Sequence, residues 1–311
     1  MSIGMYVLRR LGFMVVTLWI IITITFLLMR FLPGSPWMNP MELTAEQVEI
    51  LNAHAGLDRP IIEQYWIYIT QLLRGDLGVS FQFSNQPVTA LIAGRIAPSL
   101  QLGAQALILG AVLGTVLGSF AAVKRGTWLD TGSTVTAVIG RSVPSFVAAA
   151  LLQYFLAAGL GWFPIAGWQT FAHTLLPTFA LALAPMADSA RFVRTEMVEV
   201  LASEQAELAR AKGLGPWQVA MRHGLRNATI PMVTLLGPMA VSLLTGSLVV
   251  ERVFAIPGIG DQFVTSILAN DYPTIMAVTI LFSAMLLVVI LLVDIIYSLI
   301  DPRIRLGGGS R

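Results

Sequence analysis

The chain has 311 residues, of which 56% are hydrophobic and 12% are charged, and its mean hydropathy is +0.77. Soluble domains average about 25% charged residues, so the composition predicts an integral membrane protein. A net charge of +2 argues against nucleic acid as a partner, and the absence of cysteine excludes disulfides and a cysteine nucleophile. Three histidines that stand apart in the sequence argue against a metal site.

Six apolar segments have the length of about 20 residues that is needed to cross a bilayer. The predicted spans cover residues 9–31, 99–123, 131–158, 173–190, 230–252 and 273–300. The first is too long for the apolar part of a signal peptide, so it is predicted to be retained. The third is interrupted by Arg141 and Pro144, and the fourth is the shortest.

The distribution of lysine and arginine predicts the orientation in the membrane. If the N-terminus is cytoplasmic, thirteen of these residues flank the spans on the inside and five on the outside. Because positive residues concentrate in cytoplasmic loops, both termini are predicted to be cytoplasmic in a multi-pass protein of the cell membrane.

The segment 33–98 is then extracytoplasmic, and it is predicted to form a small cap on the membrane face rather than a ligand-binding domain. Thr44 and Gln47 have the spacing of a capping box that starts one helix, and a second helix follows Pro60. Gly75 and Gly78 mark its end. The packing face of this second helix is predicted to contain Tyr65, Trp66, Ile69 and Leu72.

One face of the second predicted span carries only small residues, at every fourth position. A face without bulky side chains lets another helix approach closely, and packing inside the bundle is the expected use. The residues are Ala106, Gly110, Gly114, Gly118 and Ala122.

The cytoplasmic segment 191–229 is the longest hydrophilic part on that side of the membrane. A helix is predicted over 196–212, ended by Gly213 and Gly215, and Pro216 fits the first turn of a new short helix. An apolar row beside a basic row predicts contact with a membrane surface or with a groove on another protein. The apolar row is Trp217, Met221 and Leu225, and the basic row is Gln218, Arg222 and Arg226.

The motifs of several enzyme classes are missing. A phosphate-binding loop needs a lysine after glycine, and neither Lys124 nor Lys212 follows one, so the energy for any work must come from elsewhere. Charges inside apolar segments are rare enough to suggest function. Arg141, Asp188 and Asp294 are such charges, and both structural pairing and a polar translocation path remain open for them.

The sequence ELARAKG from Glu207 to Gly213 resembles the EAA loop of bacterial ABC importer permeases, with Leu208 in place of the first alanine. The continuation with His223, Leu225 and Arg226 resembles the oligopeptide and dipeptide branch, most closely its B-type permeases. The resemblance extends over nearly the whole chain, through YVLRRL (6–11), FLPGSP (31–36), the segment 56–81, SVPSF (142–146), ERVFAIPGIG (251–260), NDYP (270–273) and the segment 291–305. Arg141 is not expected from the family.

The resemblance implies an all-α protein with six spans, a type I importer core similar to MetI and an extracytoplasmic insert after the first helix. Its regions are 1–98 with the cap, the core 99–300 with the coupling loop 191–229, and a tail 301–311. The implied coupling residues are Glu207, Ala209, Gly213, Leu214, Trp217, Met221, Arg222 and Arg226.

The resemblance also implies the partners. They are a second permease, two ATPase subunits that hold ATP and magnesium, and a binding protein that delivers peptide, so this chain is a transport subunit without a catalytic site or cofactor of its own. The branch also includes permeases for nickel chelates, glutathione, opines and oligosaccharides, which keeps the substrate open. An ion-driven secondary transporter is the alternative class, and it predicts internal repeats and more intramembrane carboxylates.

Overall fold

The computed structural model describes residues 3–31, 36–37 and 43–300, and these residues are helical apart from connecting turns and one isolated bridge. The helices are α1 (Ile3–Phe31), α2 (Ala45–His54), α3 (Ile61–Leu73), α4 (Val88–Val123), α5 (Trp128–Ser142), α6 (Ser145–Leu152), α7 (Ala172–Leu201), α8 (Glu204–Ala211), α9 (Pro216–Val219), α10 (Arg226–Val253), α11 (Ile259–Leu268) and α12 (Tyr272–Ile300). A π-helical segment, Gln153–Gly159, extends α6, and another, Ala220–Leu225, joins α9 to α10. The prediction of an all-α membrane protein is confirmed.

Length and hydropathy identify fewer spans than the six predicted. Among the described residues, three helical segments qualify singly, namely Val7–Phe31, Val88–Val123 and Tyr272–Val293. A fourth results if Trp128–Ser142 and Ser145–Gly159, which meet at 101°, form one bent span. Helices α7 and α10 lie where the other two spans were predicted, but they do not meet the same measure.

Two helices extend beyond the spans that were predicted for them, and one predicted helix is wrong. Helix α4 begins at Val88 rather than at residue 99, because Pro87 provides a helix start and Pro98 is accommodated inside the helix. Helix α7 continues to Leu201 rather than to residue 190. The helix predicted over 196–212 is therefore interrupted, and Ser203 caps a new helix, α8.

The predicted interruption of the third span is confirmed. Val143 has an extended backbone with φ −81° and ψ 120°, and Pro144 follows it at the start of α6. A proline disfavours helical geometry at the preceding residue, so the chain turns sharply between α5 and α6.

The small-residue face of α4 packs against α7, as predicted for contacts within the bundle. A Cβ atom added at Gly114 would lie 2.5 Å from the backbone oxygen of Met186 and 2.5 Å from Cβ of Ser189. A Cβ atom added at Gly118 would lie 2.5 Å from the backbone oxygen of Ala190, and one added at Gly110 would lie 2.6 Å from Cβ of Pro185. The close contact therefore extends over two further turns. The two backbones therefore touch along one seam, which makes α4 and α7 the tightest pair in the core.

The cap comprises residues 43–87 and rests on α1 and α12. The capping box at Thr44 and Gln47 is confirmed, and Gly75 and Gly78 end α3 with φ of +79° each. The predicted packing face of α3 is wrong at Trp66, which is 61% exposed. Instead Tyr65 turns towards α1, where its hydroxyl lies 2.8 Å from Thr23 Oγ1 and its ring contacts Phe26.

A buried carboxylate fastens the end of the cap to α12. Asp271 accepts hydrogen bonds from the hydroxyl of Ser80 at 2.6 Å and from the backbone N–H of Phe81 at 3.0 Å. It also accepts one from Thr274 at 2.5 Å. These bonds hold the cap against the end of the helical bundle at which α12 begins.

Candidate coupling site

Residues 203–219 form a helical hairpin, called here the hairpin 203–219. Ser203 accepts a hydrogen bond from the backbone N–H of Ala206 and so caps α8. After α8, Gly213 turns the chain with φ of +87°, in the left-handed region that glycine adopts without strain. Pro216 then occupies the first turn of α9.

The interior of this hairpin is apolar and small. Ala206, Ala209 and Val219 are buried against one another, and Leu214 packs against them. The backbone N–H of Leu214 donates to the carbonyl of Ala209 at 3.2 Å, which closes the turn. Ala209 and Leu214 therefore hold α8 to α9, since their side chains lie inside the hairpin.

The opposite face of α8 and the turn are open. Glu207, Lys212 and Gly213 are exposed, and Leu208 is 58% exposed. An acidic side chain, a basic side chain and an apolar one are thus presented together beside a turn.

The apolar row that was predicted to need a partner finds its contacts within this chain. The ring of Trp217 lies 5.0 Å from that of Phe120 on α4, centroid to centroid. Met221 and Leu225 pack against a buried cluster that includes Met197 of α7. Trp217 is nonetheless 43% exposed, so contact of this row with a partner surface stays a prediction.

The basic row behaves differently from the apolar one. Arg222 is exposed, whereas the side chain of Arg226 lies outside the described residues.

The backbone runs from Pro216 through the π-helical segment to Val253 as one helical stretch, so α9 is directly continuous with α10. On the other side of the hairpin, only the short break at Ala202 and Ser203 separates α8 from α7.

Two arginine–aspartate pairs join α5 to α7. Arg194 makes a bidentate contact with Asp130, at 2.6 and 2.9 Å. Arg141 lies 3.6 Å from Asp188, with 66% of the arginine side chain exposed. A cavity of about 220 Å³ lies beside both pairs. One of the two alternatives left open for Arg141, pairing with a carboxylate, is present in the structure, and its role in a translocation path stays a prediction. The side chain of Asp294 lies outside the described residues.

A further buried carboxylate, Glu251, begins the motif ERVFAIPGIG and was not among the predicted functional residues. It is fully buried near the end of α10 and accepts a hydrogen bond from the Ser99 hydroxyl at 2.8 Å. It also accepts one from the backbone N–H of Asp261 at 3.2 Å, while Ser99 accepts one from Ile259 N–H at 2.8 Å. Glu251 thus joins α4, α10 and the start of α11. Its position inside the predicted span 230–252 is the signal that could have identified it.

No arrangement for a metal ion occurs in the part of the chain that the structure describes, where no three histidine, cysteine, aspartate or glutamate side chains come together.

Two solved transporters have a similar fold. A structure titled as an amino acid ABC transporter with histidines aligns with a TM-score of 0.53 and 17% identity, over 67% of this chain and 94% of that chain. The MetNI methionine ABC transporter in inward-facing conformations aligns with a TM-score of 0.56 and 18% identity, over 68% of this chain and 97% of that chain. At these identities the similarity concerns the fold, and it supports a core similar to MetI.

Sequence comparison gives the family. Residues 114–306 match the family described as binding-protein-dependent transport system inner membrane component, and residues 3–102 match the N-terminal membrane component of such systems. The chain therefore belongs to these inner membrane components, which are multi-pass transport subunits and not enzymes. It is 50% identical to the dipeptide transport system permease DppB of Lactococcus lactis, over 97% of this chain and 99% of the relative, and 40% identical to the oligopeptide permease OppB of Escherichia coli K12, over 96% and 99%. The chain is a B-type permease of the oligopeptide and dipeptide branch.

Proposed function

We propose that this chain forms half of the translocation pathway of an ATP-driven importer for dipeptides or oligopeptides. In this proposal six helical segments cross the membrane, both termini are cytoplasmic, and the cap lies outside. A second permease completes the pathway, two ATPase subunits supply the energy with their own ATP and magnesium, and a binding protein delivers the peptide. The names of the relatives support the substrate class.

The hairpin 203–219 carries this proposal. It combines an apolar interior with an exposed outer face, and the residues of the EAA resemblance place Ala209 in that interior, Glu207 on the exposed face and Gly213 at the turn. Glu207, Lys212 and Arg222 are exposed, and their charges suit contact with a cleft on a partner. We assign these residues, with Gly213 and Arg226, to the contact with the ATPase.

The remaining coupling residues act by holding the hairpin in place. Ala209 and Leu214 join its two helices, while Trp217 and Met221 fasten it to α4 and to the α7 cluster. A displacement of the hairpin by a closing ATPase then moves α10 directly, because α9 and α10 are one helical stretch. Since α4 and α7 touch backbone to backbone, they move as one body.

The regions keep separate roles in this proposal. Residues 1–98 supply the first span and the cap, residues 99–300 the core with the coupling loop 191–229, and residues 301–311 a cytoplasmic tail. The charged residues Arg141 and Asp188 border the cavity between α5 and α7, and Asp294 belongs to helix α12. We assign these three to the translocation path or its packing.

The proposal predicts that Gly213→Val and Glu207→Lys uncouple ATP hydrolysis from uptake. Valine at φ +87° is strained by roughly 1–2 kcal/mol, which distorts the turn, and lysine reverses a charge on the docking face. The expected result is at least a tenfold loss of ATP-dependent peptide uptake into proteoliposomes that contain the complete importer, roughly the effect of 1.4 kcal/mol or more. Membrane insertion is expected to stay normal.

Gly75→Val is the matched control for the turn. Gly75 has φ of +79°, and at both Gly75 and Gly213 an added Cβ atom would meet no heavy atom within 4 Å among the described residues. The strain is therefore similar, but the position lies in the cap, so uptake should remain near the wild-type rate. Equal uptake in wild type, Gly213→Val and Glu207→Lys would contradict the assignment of the hairpin.

Glutathione is a second candidate substrate. The glutathione transport system permease GsiC of Escherichia coli strain CFT073 is 40% identical to this chain, over 96% of this chain and 98% of the relative. Uptake of labelled dipeptide, longer peptide and glutathione by the complete importer, with its own binding protein, distinguishes the candidates. Uptake of glutathione without uptake of the two peptides would replace the peptide proposal.

A further inference from the structure

A cavity lies between the cap, the outer end of α1 and the start of α12. Its volume is about 380 Å³, within the range of roughly 300–1,000 Å³ that is typical of small-ligand sites. It is separate from the hairpin 203–219 and from the cavity between α5 and α7. The polar side chains that line it include Arg30, His54, Arg59, Gln64, Gln71 and Tyr272.

Three buried polar atoms on the wall of this cavity have no hydrogen-bond partner in the described structure. They are Nε of Arg30, Oε1 of Gln64 and the hydroxyl oxygen of Tyr272. Gln64 is 8% exposed and Tyr272 is 6% exposed. Folded proteins leave few buried polar groups without a partner, so three on one cavity indicate that something else binds there.

The orientation of the Gln64 amide is fixed by its own contacts. Its nitrogen donates to the carbonyl of Leu57 at 3.1 Å and to that of Arg59 at 2.7 Å. Both carbonyls can only accept, so the unpartnered atom of the amide is its oxygen, which requires a donor.

The charges around the cavity favour an acidic ligand group. Arg30 and Arg59 line it, while no aspartate or glutamate is among its lining residues within the described chain. Arg59 is already paired with Glu63 at 3.0 Å. The guanidinium of Arg30 therefore supplies the cationic donor, and the hydroxyl of Tyr272 can add a second hydrogen bond.

We propose that this cavity binds a short peptide, with the terminal carboxylate on Arg30 and Tyr272 and an N–H group on Gln64. A peptide supplies both an anionic acceptor and an N–H donor, whereas inorganic phosphate supplies acceptors without an N–H group. This inference rests on the proposed import of peptides. It adds a binding site on the permease that lies beside the cap and away from the seam between α4 and α7.

The test uses the complete importer in lipid nanodiscs. The binding protein is left out, because it would itself bind the peptide probes. The probes are radiolabelled trialanine, the C-terminal amide of trialanine, and inorganic phosphate. Trialanine should bind to the wild type, and the amide should bind about tenfold more weakly because it lacks the charged acceptor for Arg30. Phosphate should not displace trialanine at equal concentration.

Tyr272→Phe removes only the unpartnered hydroxyl and should weaken trialanine binding about fivefold, the effect of one hydrogen bond. Arg30→Gln should abolish the preference for the free carboxylate over the amide. Tyr154→Phe is the matched control, because Tyr154 is 68% exposed and lies outside the cavity, and it should leave binding unchanged. Thermal melting of each variant confirms that the fold is retained.

The inference is overturned if wild type does not bind trialanine, if the amide binds as well as the free acid, or if Tyr272→Phe binds like Tyr154→Phe. Displacement of trialanine by equimolar phosphate would also overturn it.

ATP-dependent uptake with the binding protein present is measured separately. Peptide uptake without binding at the cavity would refute only this inference, while absence of peptide uptake would refute the proposed function.

Discussion

The two arginine–aspartate pairs between α5 and α7 differ in how closely each is made. Arg194 holds Asp130 through two short hydrogen bonds, and the carboxylate side chain is only 10% exposed. Arg141 lies farther from Asp188, at 3.6 Å, and most of its side chain is exposed. A buried carboxylate that loses its cation is costly, whereas an exposed pair contributes little.

Arg194→Gln is therefore expected to destabilise the protein by about 3 kcal/mol, because Asp130 is left buried without its cation. Arg141→Gln, the matched change at the other pair, is expected to cost below about 1 kcal/mol. The apparent Tm of the purified complex measures both. A larger loss for Arg141→Gln than for Arg194→Gln would show that Arg141 has the main structural role.

At the scale of helices, one seam and one interruption determine how the core is built. The glycine face of α4 brings it into backbone contact with α7, and α7 leads almost directly into the hairpin 203–219. At the turn before Pro144 the chain bends by 101° between α5 and the segment Ser145–Gly159, which contains α6 and its π-helical extension. Glu251 then fixes α10 and the start of α11 to α4 through Ser99.

Gly114→Ala is expected to destabilise the protein by about 1–3 kcal/mol, because the new Cβ would collide with the backbone of α7. Gly103→Ala on the same helix is the control, since no heavy atom lies within 4 Å of its Cβ position in the described chain. There the helical preference for alanine should give a neutral effect or a gain of about 0.5–1 kcal/mol. Equal apparent Tm values for the two variants would contradict the seam between α4 and α7.

At the scale of the whole molecule, the proposed orientation places the cap outside and the hairpin 203–219 inside. The two proposed binding surfaces then lie on opposite sides of the membrane. The cavity beside the cap faces the side from which peptide arrives, and the hairpin faces the ATPase. The core between them contains the closely packed α4 and α7 and the continuous helical stretch from Pro216 to Val253.

Single cysteines can test this orientation directly, because the native sequence contains none. Thr70→Cys lies on the exposed side of α3, and Arg125→Cys lies in the exposed turn between α4 and α5. In intact cells a membrane-impermeant maleimide should label Thr70→Cys and leave Arg125→Cys unlabelled until the membrane is disrupted. The reverse pattern would invert the proposed topology, and labelling of both in intact cells would contradict the separation of these segments by the membrane.

The sequence by itself determined the features that depend on local chemistry and on composition. Hydropathy predicted a membrane protein, the spacing of Thr44 and Gln47 predicted a helix start, and Pro144 predicted an interruption. The small face of α4 predicted close packing, because a missing side chain is visible in the sequence whatever the partner helix. The motif at Glu207 to Gly213 indicated the family, because its residue types and their spacing are a property of the sequence alone.

Only the tertiary structure decided which surfaces face each other. Met221 and Leu225, at the π-helical segment, pack against the cluster that includes Met197. On α3, Trp66 is exposed, whereas Tyr65 contacts Thr23 and Phe26 of α1. It also brought together Arg30, Gln64 and Tyr272, which come from three distant parts of the chain. Periodicity gives the faces of a helix, but the choice of the buried face depends on distant side chains that fill the space and satisfy polar groups.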